Sequence, residues 1–218
     1  MAGESRTTRK KVEIKTHKTP KMKSDKQTAI LLIEFQKTWT EKGIFRKTIK
    51  KEYESRNVLD NTKKLITSAR ENKTPVIQAP LILDKSDRER YKKTPFPARL
   101  LNRFTKGTWK AEFTEGIHKP TDIVIEGRYG FDACKGSNLE QQLRENKIGT
   151  VFICGFTTDH CVKETMNSLL EKGFNCIMVS DCTATKNRKL QKKIESKLEH
   201  IKSEEAIQRL QKKLNTKI

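Results

Sequence analysis

Residues 151–162 read Val-Phe-Ile-Cys-Gly-Phe-Thr-Thr-Asp-His-Cys-Val, and this stretch predicts a strand, a tight loop and the start of a helix. The first four residues are uniformly apolar, as in a strand buried on both faces of a parallel sheet. Beyond the loop, apolar residues recur at helical spacing from 166 to 170. Cys161 therefore lies in the first turn of a predicted helix, where backbone N–H groups and a nearby cation lower a thiol pKa. Cys161 is the best nucleophile candidate in the sequence.

Outward from this stretch, apolar segments alternate with helical patterns. Short apolar runs predict further strands at 28–33, 75–79, 123–125 and 176–179, with a last short one at 200–201. Helical spacing predicts a helix after Asn57, which would cap it, and others over 139–145, from 185 to about 199, and after Ser203 as a cap. Residues 81–121 predict an irregular region around a pocket. The alternation predicts one α/β domain over 27–218.

The chain is strongly basic, with a formal net charge of +20 and a pI of about 9.8. Residues 1–26 show no apolar periodicity and hold nine Lys and Arg against three Asp and Glu, which predicts a basic arm. The segment after Ala184 is also rich in lysine. Such a charge favours a polyanionic partner, either nucleic acid or an acidic protein assembly. A lysine-rich surface that is merely solvated is the alternative.

Several classes of protein are disfavoured by the composition. No apolar run approaches the roughly 20 residues that span a bilayer, which predicts no membrane partner. The five cysteines have no CxxC spacing, which is typical of reduced thiols in an intracellular, cytoplasmic or mitochondrial protein. The four histidines are scattered, so we expect no metal, and no cofactor motif is present. A small-molecule substrate and a homo-oligomer both remain open.

The central stretch resembles the signature of the isochorismatase-like cysteine hydrolases, here written Gly155-x-x-Thr158-x-x-Cys161-Val162. Matching segments lie in the family's order at 29–36, 107–109, 124–128, 137–139 and 181–184. The resemblance covers roughly residues 27 to 210. It implies a three-layer α/β/α fold with a mostly parallel central sheet, and hydrolysis of a small molecule.

The resemblance also implies a catalytic triad of Glu34, Arg128 and Cys161. Family members carry aspartate, lysine and cysteine at these positions, as general base, as the cation that holds it, and as the covalent nucleophile. Each of the three residues follows a predicted strand, so they can converge at the carboxyl edge of a parallel sheet. The metal-binding Asp-x-His pattern of nicotinamidases in this superfamily is absent from the sequence.

Two of the three triad positions are substituted. Glutamate is one methylene longer than aspartate, and arginine replaces a compact ammonium by a planar fork that could clamp Glu34 bidentately. A misplacement near 1 Å can cost on the order of 10²-fold in rate. The substitutions therefore predict either attenuated catalysis or none.

The family's oxyanion hole surrounds a cis peptide bond, which falls by position between Phe156 and Thr157. The resemblance implies donors from the backbone N–H groups of Thr157 and Cys161. His160 is a poor candidate for the base, because neighbours on a helix point about 100° apart. The residues assigned to the substrate pocket are Gln36, Trp109 and Phe156, with Cys134 where relatives often carry an aromatic residue. Gln36 could instead cap its strand, and Trp109 could instead pack its loop.

Two functions are compatible with these features. One is a thiol hydrolase that cleaves an amide-type C–N bond of a small molecule through a covalent intermediate on Cys161. The other is a catalytically inactive relative that serves as a basic subunit of a large assembly, such as a ribosome or mitoribosome. The retained Cys161 favours the first function, and the altered triad and the charge favour the second.

Overall fold

The computed structural model describes residues 27–94, 96–99 and 104–215. The predicted basic arm, residues 1–26, lies outside the described residues.

The domain is built on a six-stranded sheet in which every paired neighbour is parallel. Its strands are β1 (Gln27–Ile33), β2 (Val76–Ala79), β3 (Ile123–Val124), β4 (Ile148–Phe156), β5 (Asn175–Ala184) and β6 (His200–Ile201). Their spatial order is β3-β2-β1-β4-β5-β6, so the chain starts in the middle and winds first to one edge and then to the other. This doubly wound order opens a crevice between β1 and β4, beyond their carboxyl ends.

Helices cover both faces of the sheet, which confirms the three-layer prediction. They are α1 (Lys37–Thr40), α2 (Ile44–Ser55), α3 (Val58–Glu71), α4 (Arg88–Lys93), α5 (Phe96–Arg99), α6 (Leu139–Glu145), α7 (Lys163–Glu171), α8 (Arg188–Glu195) and α9 (Ser203–Asn215). Alternate residues of β1 point to opposite sides, as period-two geometry requires. Ile30 and Leu32 pack in the core beneath α2, α3 and α9, whereas Leu31 and Ile33 pack beneath α6 and α7.

β1 and β4 approach each other closely at the crevice. Gly155 pairs with Ile33, and a Cβ added to Gly155 would lie 2.0 Å from the Ile33 carbonyl oxygen. Gly155 also has a φ of 129°, a conformation that glycine adopts freely. Gly155 is therefore required by the contact between the two central strands.

Most predicted elements are present, but their ends and caps differ. β4 and β5 extend beyond their apolar segments, since Gly155 and Phe156 of β4 pair with Thr183 and Ala184 of β5. Asn57 holds the N-cap position of α3, as predicted, but its backbone is left-handed and its side chain makes no cap hydrogen bond. Ser203 is not an accepting cap either. Its backbone N–H and hydroxyl both donate to the Asp181 carboxylate.

Helices α1, α2, α4 and α5 were not predicted. In α2 only Ile49, Glu52 and Tyr53 are buried, too few apolar positions to reveal the helical period in a lysine-rich sequence. Helices α4 and α5 lie in the region 81–121 that was predicted to be irregular. Within the described ranges, no helix is long and apolar enough to cross a membrane.

Candidate active site

The three predicted triad residues meet at the crevice between β1 and β4. Glu34 directly follows β1, Cys161 lies in the turn after β4, and Arg128 follows β3, two strands away from β1. All three are buried, with exposed fractions of 1% for Glu34, 2% for Arg128 and 4% for Cys161. Glu34 lies between the other two and contacts both.

Glu34 is held by a donor on each carboxylate oxygen. Arg128 Nη2 donates to Oε1 at 2.5 Å, and the Trp39 indole Nε1 donates to Oε2 at 2.9 Å. The predicted bidentate clamp is therefore wrong, because arginine supplies one donor and tryptophan the other. Glu34 also has a φ of 58°, which costs a non-glycine residue about 1–2 kcal/mol. The two hydrogen bonds hold the Glu34 carboxylate in one position, although the backbone of Glu34 is left-handed.

The remaining hydrogen bonds of Arg128 go to backbone carbonyl oxygens. Nε donates to Gly130 at 3.0 Å, Nη1 to Ala79 at 2.8 Å, and Nη2 also to Phe131 at 2.8 Å. Ala79 ends β2, so the guanidinium crosses that strand to reach Glu34. A buried ion pair is stable only where its remaining donors and acceptors are satisfied. Arg128 meets this condition in a way that the three donors of a lysine could not.

Cys161 lies in a short π-helical turn, Thr158–Val162, that joins β4 to α7. The Thr157 carbonyl oxygen accepts from the N–H groups of both His160 and Val162, at 3.1 and 3.2 Å. The peptide bond between Phe156 and Thr157 is cis, as the resemblance predicted. The Glu34 carboxylate and the Thr157 backbone both lie close enough to the thiol to affect the pKa of Cys161.

The prediction of a lowered thiol pKa is wrong for Cys161. Burial raises the pKa of Cys161 well above its ordinary value, and the negative charge of Glu34 raises it further. The Arg128 cation and the hydrogen bond from Thr157 lower the pKa, but these effects are smaller. Cys161 therefore rests as a thiol beside a carboxylate that can accept its proton.

The predicted pocket residues occupy different environments. Gln36 is fully buried, and its side-chain amide bonds Leu81 and Ala111, which joins the end of β1 to two loops. Phe156 is fully buried against Phe35, Trp39 and Tyr53. The Trp109 ring lies under the Lys42 ammonium at 5.1 Å, and no contact in the described part of the chain joins it to the triad. Gln36 thus braces the site, and the pocket role of Trp109 stays a prediction.

His160 and Cys134 lie at the margin of the site. The His160 side chain is 62% exposed and its ring contacts Phe131, at 5.7 Å between ring centres. Cys134 is half-buried, and burial together with the charge of Asp132 raises its pKa to about 12. Neither residue has a described contact with the Cys161 thiol. No group of three His, Cys, Asp or Glu side chains within the described ranges could hold a metal.

Two polar contacts of the site were missed from the sequence. One is the Trp39 indole, whose only signal was a tryptophan five residues after the candidate carboxylate. The other is a buried bond at 2.8 Å from the Thr158 hydroxyl to Gln191 of α8. Gln191 in turn donates to Glu195, which accepts from Arg56. Such long-range pairs leave no periodic trace in a sequence, so only the structure reveals them.

Known proteins share both the sequence signature and the fold of this chain. A family model described as the isochorismatase domain matches residues 28–203. An isochorismatase family protein of Bacillus subtilis, YrdC, is 47% identical over 49 residues, which cover 22% of this chain and 26% of YrdC. The chain thus matches about a quarter of that relative's length.

Solved structures share the fold over most of their length. A cysteine hydrolase from Pseudomonas syringae pv. phaseolicola has a TM-score of 0.73 at 18% identity, with 86% of this chain and 93% of that chain covered. An N-carbamoylsarcosine amidase from Thermoplasma acidophilum has a TM-score of 0.66 at 21% identity, with 81% and 96% covered.

Proposed function

This chain belongs to the isochorismatase family, and we propose that it is a cysteine hydrolase that cleaves an amide-type C–N bond of a small molecule. The observation that carries the proposal is that Arg128 holds Glu34 by a hydrogen bond and that the Glu34 carboxylate lies close enough to the Cys161 thiol to affect its pKa. An eroded site would not be expected to keep a carboxylate base beside its nucleophile. The structural neighbour from Thermoplasma acidophilum is an amidase, and that class of enzyme agrees with the proposal.

The proposed reaction uses Glu34 as a proton carrier. The carboxylate takes the thiol proton as Sγ bonds to the carbonyl carbon, and the backbone N–H groups of Thr157 and Cys161 stabilise the oxyanion. The oxyanion then re-forms the carbonyl, the C–N bond breaks, and the Glu34 proton moves to the leaving nitrogen. Water attacks the thioester while giving a proton to Glu34, and that proton returns to Sγ as the C–S bond breaks.

Arg128 and Trp39 have a positioning role in this scheme. Arg128 carries a permanent charge that limits the rise of the Cys161 pKa, and Trp39 fixes the second oxygen of Glu34. The longer glutamate is thereby braced from both sides, which compensates for its extra rotatable bond. We propose that the glutamate and arginine form an adapted pair, with a turnover below that expected for aspartate and lysine.

The inactive-relative hypothesis is supported by a different observation. The triad is at most 4% exposed, and the Cys161 pKa is raised rather than lowered. A protein that functions only through its basic surface could retain a thiol that is buried and uncharged. The two hypotheses differ in whether Cys161 turns over a substrate.

The test measures ammonia or amine release from a panel of small amides, carbamoyl compounds and ureas. We expect turnover with at least one compound, and its loss in Cys161→Ser. Cys134→Ser serves as the matched control and should retain activity. A thioester on Cys161 should be trapped by acid quenching and detected by mass spectrometry. Inactivity of the natural protein with every compound, and no trapped adduct, would favour the inactive relative.

A further inference from the structure

Helix α8 and its flanks carry an exposed row of cations on the folded domain. We call this row the basic ridge, and it consists of Lys186, Arg188, Lys189, Lys192, Lys193 and Lys197, all exposed. The inward side of α8 is formed by the buried residues Gln191 and Ile194. At about 100° per residue, Arg188, Lys189, Lys192 and Lys193 occupy the opposite side of the helix, and Lys186 and Lys197 lie just beyond its two ends. The ridge therefore gathers six exposed cations along one helix and its flanks.

The ridge has no compensating acid of its own. Glu195 is the sole carboxylate in residues 186–197, and it bonds Arg56 at 2.7 Å and Gln191 at 3.1 Å. Among the described residues, no ridge side chain has an ion-pair partner. Surface lysines are often solvated, but six cations beside a single carboxylate, itself paired with Arg56, create a strong local potential.

The ridge continues into a cleft of about 840 Å³. Arg188 lines one wall, and Lys64 and Lys202 line the cleft with it. Of its two acids, Asp181 is engaged by Asn61 and by the start of α9, at Ser203. Glu204 is exposed. The lining also includes a fourth cation, Arg56, which is paired with Glu52 and Glu195. The cleft thus adds a net positive charge to that of the ridge.

We propose that the basic ridge and this cleft bind the phosphate backbone of single-stranded nucleic acid. The cations are spread along a convex helix about 12 Å long and into an open cleft, so a small anion could contact only a few of them. A chain of phosphates can contact them in succession. Neither surface includes an aromatic side chain for base stacking, which indicates contacts to phosphate and no reading of sequence. The ridge also lacks apolar side chains that could enter a membrane.

This inference is independent of the proposed hydrolase activity, because no triad residue belongs to the ridge or the cleft. It also differs from the predicted role of residues 1–26, since it assigns binding to the folded domain. Experiments on the full chain keep those residues in every variant, so a difference between variants reports on the ridge alone.

The test is a titration of labelled single-stranded RNA and DNA of mixed sequence by fluorescence anisotropy, from about 50 to 200 mM NaCl. The ridge variant changes Lys186, Lys189, Lys192 and Lys193 to Gln. The matched control changes four exposed lysines scattered elsewhere, Lys47, Lys73, Lys119 and Lys135, to Gln and has the same net charge. Each lost contact should flatten the log–log salt slope by about 0.7, so the ridge variant should lose about 3 in slope. The control variant should lose less than about 0.7 in slope, which is the contribution of one phosphate contact.

Equal losses in the two variants would overturn the proposal, since only net charge would then matter. Absence of binding at the lowest salt would overturn it too. A poly-glutamate competitor that displaces the RNA at equal charge concentration would instead assign the ridge to an acidic protein. If the ridge variant does not fold, lysine acetylation of the natural protein replaces it. Bound RNA should then protect Lys189, Lys192 and Lys193 more than the control lysines, and equal protection would overturn the proposal.

Discussion

At the scale of single residues, the site depends on the groups that surround the Glu34 carboxylate. Its two oxygens accept from Arg128 and Trp39, and the same carboxylate faces the Cys161 thiol. The carboxylate raises the thiol pKa, yet it is also the group that would remove the thiol proton. Reactivity therefore requires proton transfer during attack, because little thiolate exists beforehand.

Replacing Glu34 with Gln separates these two effects. The change removes the negative charge that raises the Cys161 pKa, while Arg128 and the Thr157 hydrogen bond remain. The thiol pKa should fall, so the thiolate fraction at a given pH below it should rise. Alkylation of Cys161 by iodoacetamide should accelerate and its pH profile should shift to lower pH, whereas turnover should fall by about 10²-fold or more. Peptide mass spectrometry measures the alkylation, with Cys134 as the internal control. Slower alkylation in the variant would contradict this assignment.

Removing Arg128 should destabilise the fold, because Glu34 would be left buried without its cation. Arg128→Met should lower the free energy of unfolding by about 3–5 kcal/mol. The double change with Glu34→Gln should recover part of this loss. Arg144→Met is the control, since its pair with Glu140 is exposed and screened by solvent, so its loss should change stability far less. Urea denaturation measures the natural protein and all three variants. An Arg128→Met protein as stable as the control would show that Glu34 finds another partner.

The triad positions could be predicted from the sequence, but their electrostatics could not. Each triad residue follows a strand, so convergence at one sheet edge followed from topology. The thiol pKa depends on burial and on the Glu34 contact, neither of which a local pattern encodes. A helix start and a cation both lower a thiol pKa, but desolvation outweighs them at Cys161. Trp39 was missed for a similar reason, because its partner is fixed by tertiary packing.

At the scale of elements, the site depends on the contact between β1 and β4. These strands meet where the sheet order reverses, so any shift between them separates Glu34 from the turn that carries Cys161. Strands with a dense apolar composition were predictable, as β1 and the centre of β4 show. Helix α2 was not, because its buried face holds few apolar residues. The cap at α9 depends on Asp181 of β5, 22 residues away, which no local motif indicates.

Gly155→Ala tests the close approach of the two strands. The added Cβ would lie 2.0 Å from the Ile33 carbonyl oxygen, and this neighbour is backbone, which cannot move aside as a flexible side chain would. We expect a loss of more than about 4 kcal/mol in the free energy of unfolding, or failure to fold. Gly173→Ala is the matched control, because Gly173 has a φ of 82° with nothing within 4 Å. It should lose only the conformational contribution, about 1–2 kcal/mol. Thermal or urea unfolding measures both variants. Similar losses of unfolding free energy in Gly155→Ala and Gly173→Ala would contradict the role assigned to Gly155.

At the scale of the whole molecule, charge is the property that the proposed hydrolase does not require. A net charge of +20 on 218 residues makes the compact state repel itself. Part-buried pairs such as Arg70 with Asp122, at 2.7 Å, stabilise the fold locally, but they do not neutralise the excess positive charge. A bound polyanion would relieve the repulsion, and so would salt, by screening.

The melting temperature of the isolated protein should therefore rise with NaCl concentration. The rise should be about 2–4 °C for each kcal/mol that screening adds to the free energy of unfolding. An oligonucleotide at about 100 times its Kd should add about 2.7 kcal/mol at fixed ionic strength, because it binds the folded chain. In the ridge variant the oligonucleotide effect should largely disappear, while the scattered-lysine control keeps it. Differential scanning fluorimetry with and without oligonucleotide measures both effects. A melting temperature that falls with salt would mean that attractive ion pairs dominate the surface. The excess positive charge would then not destabilise the fold, and a bound polyanion would have no repulsion to relieve.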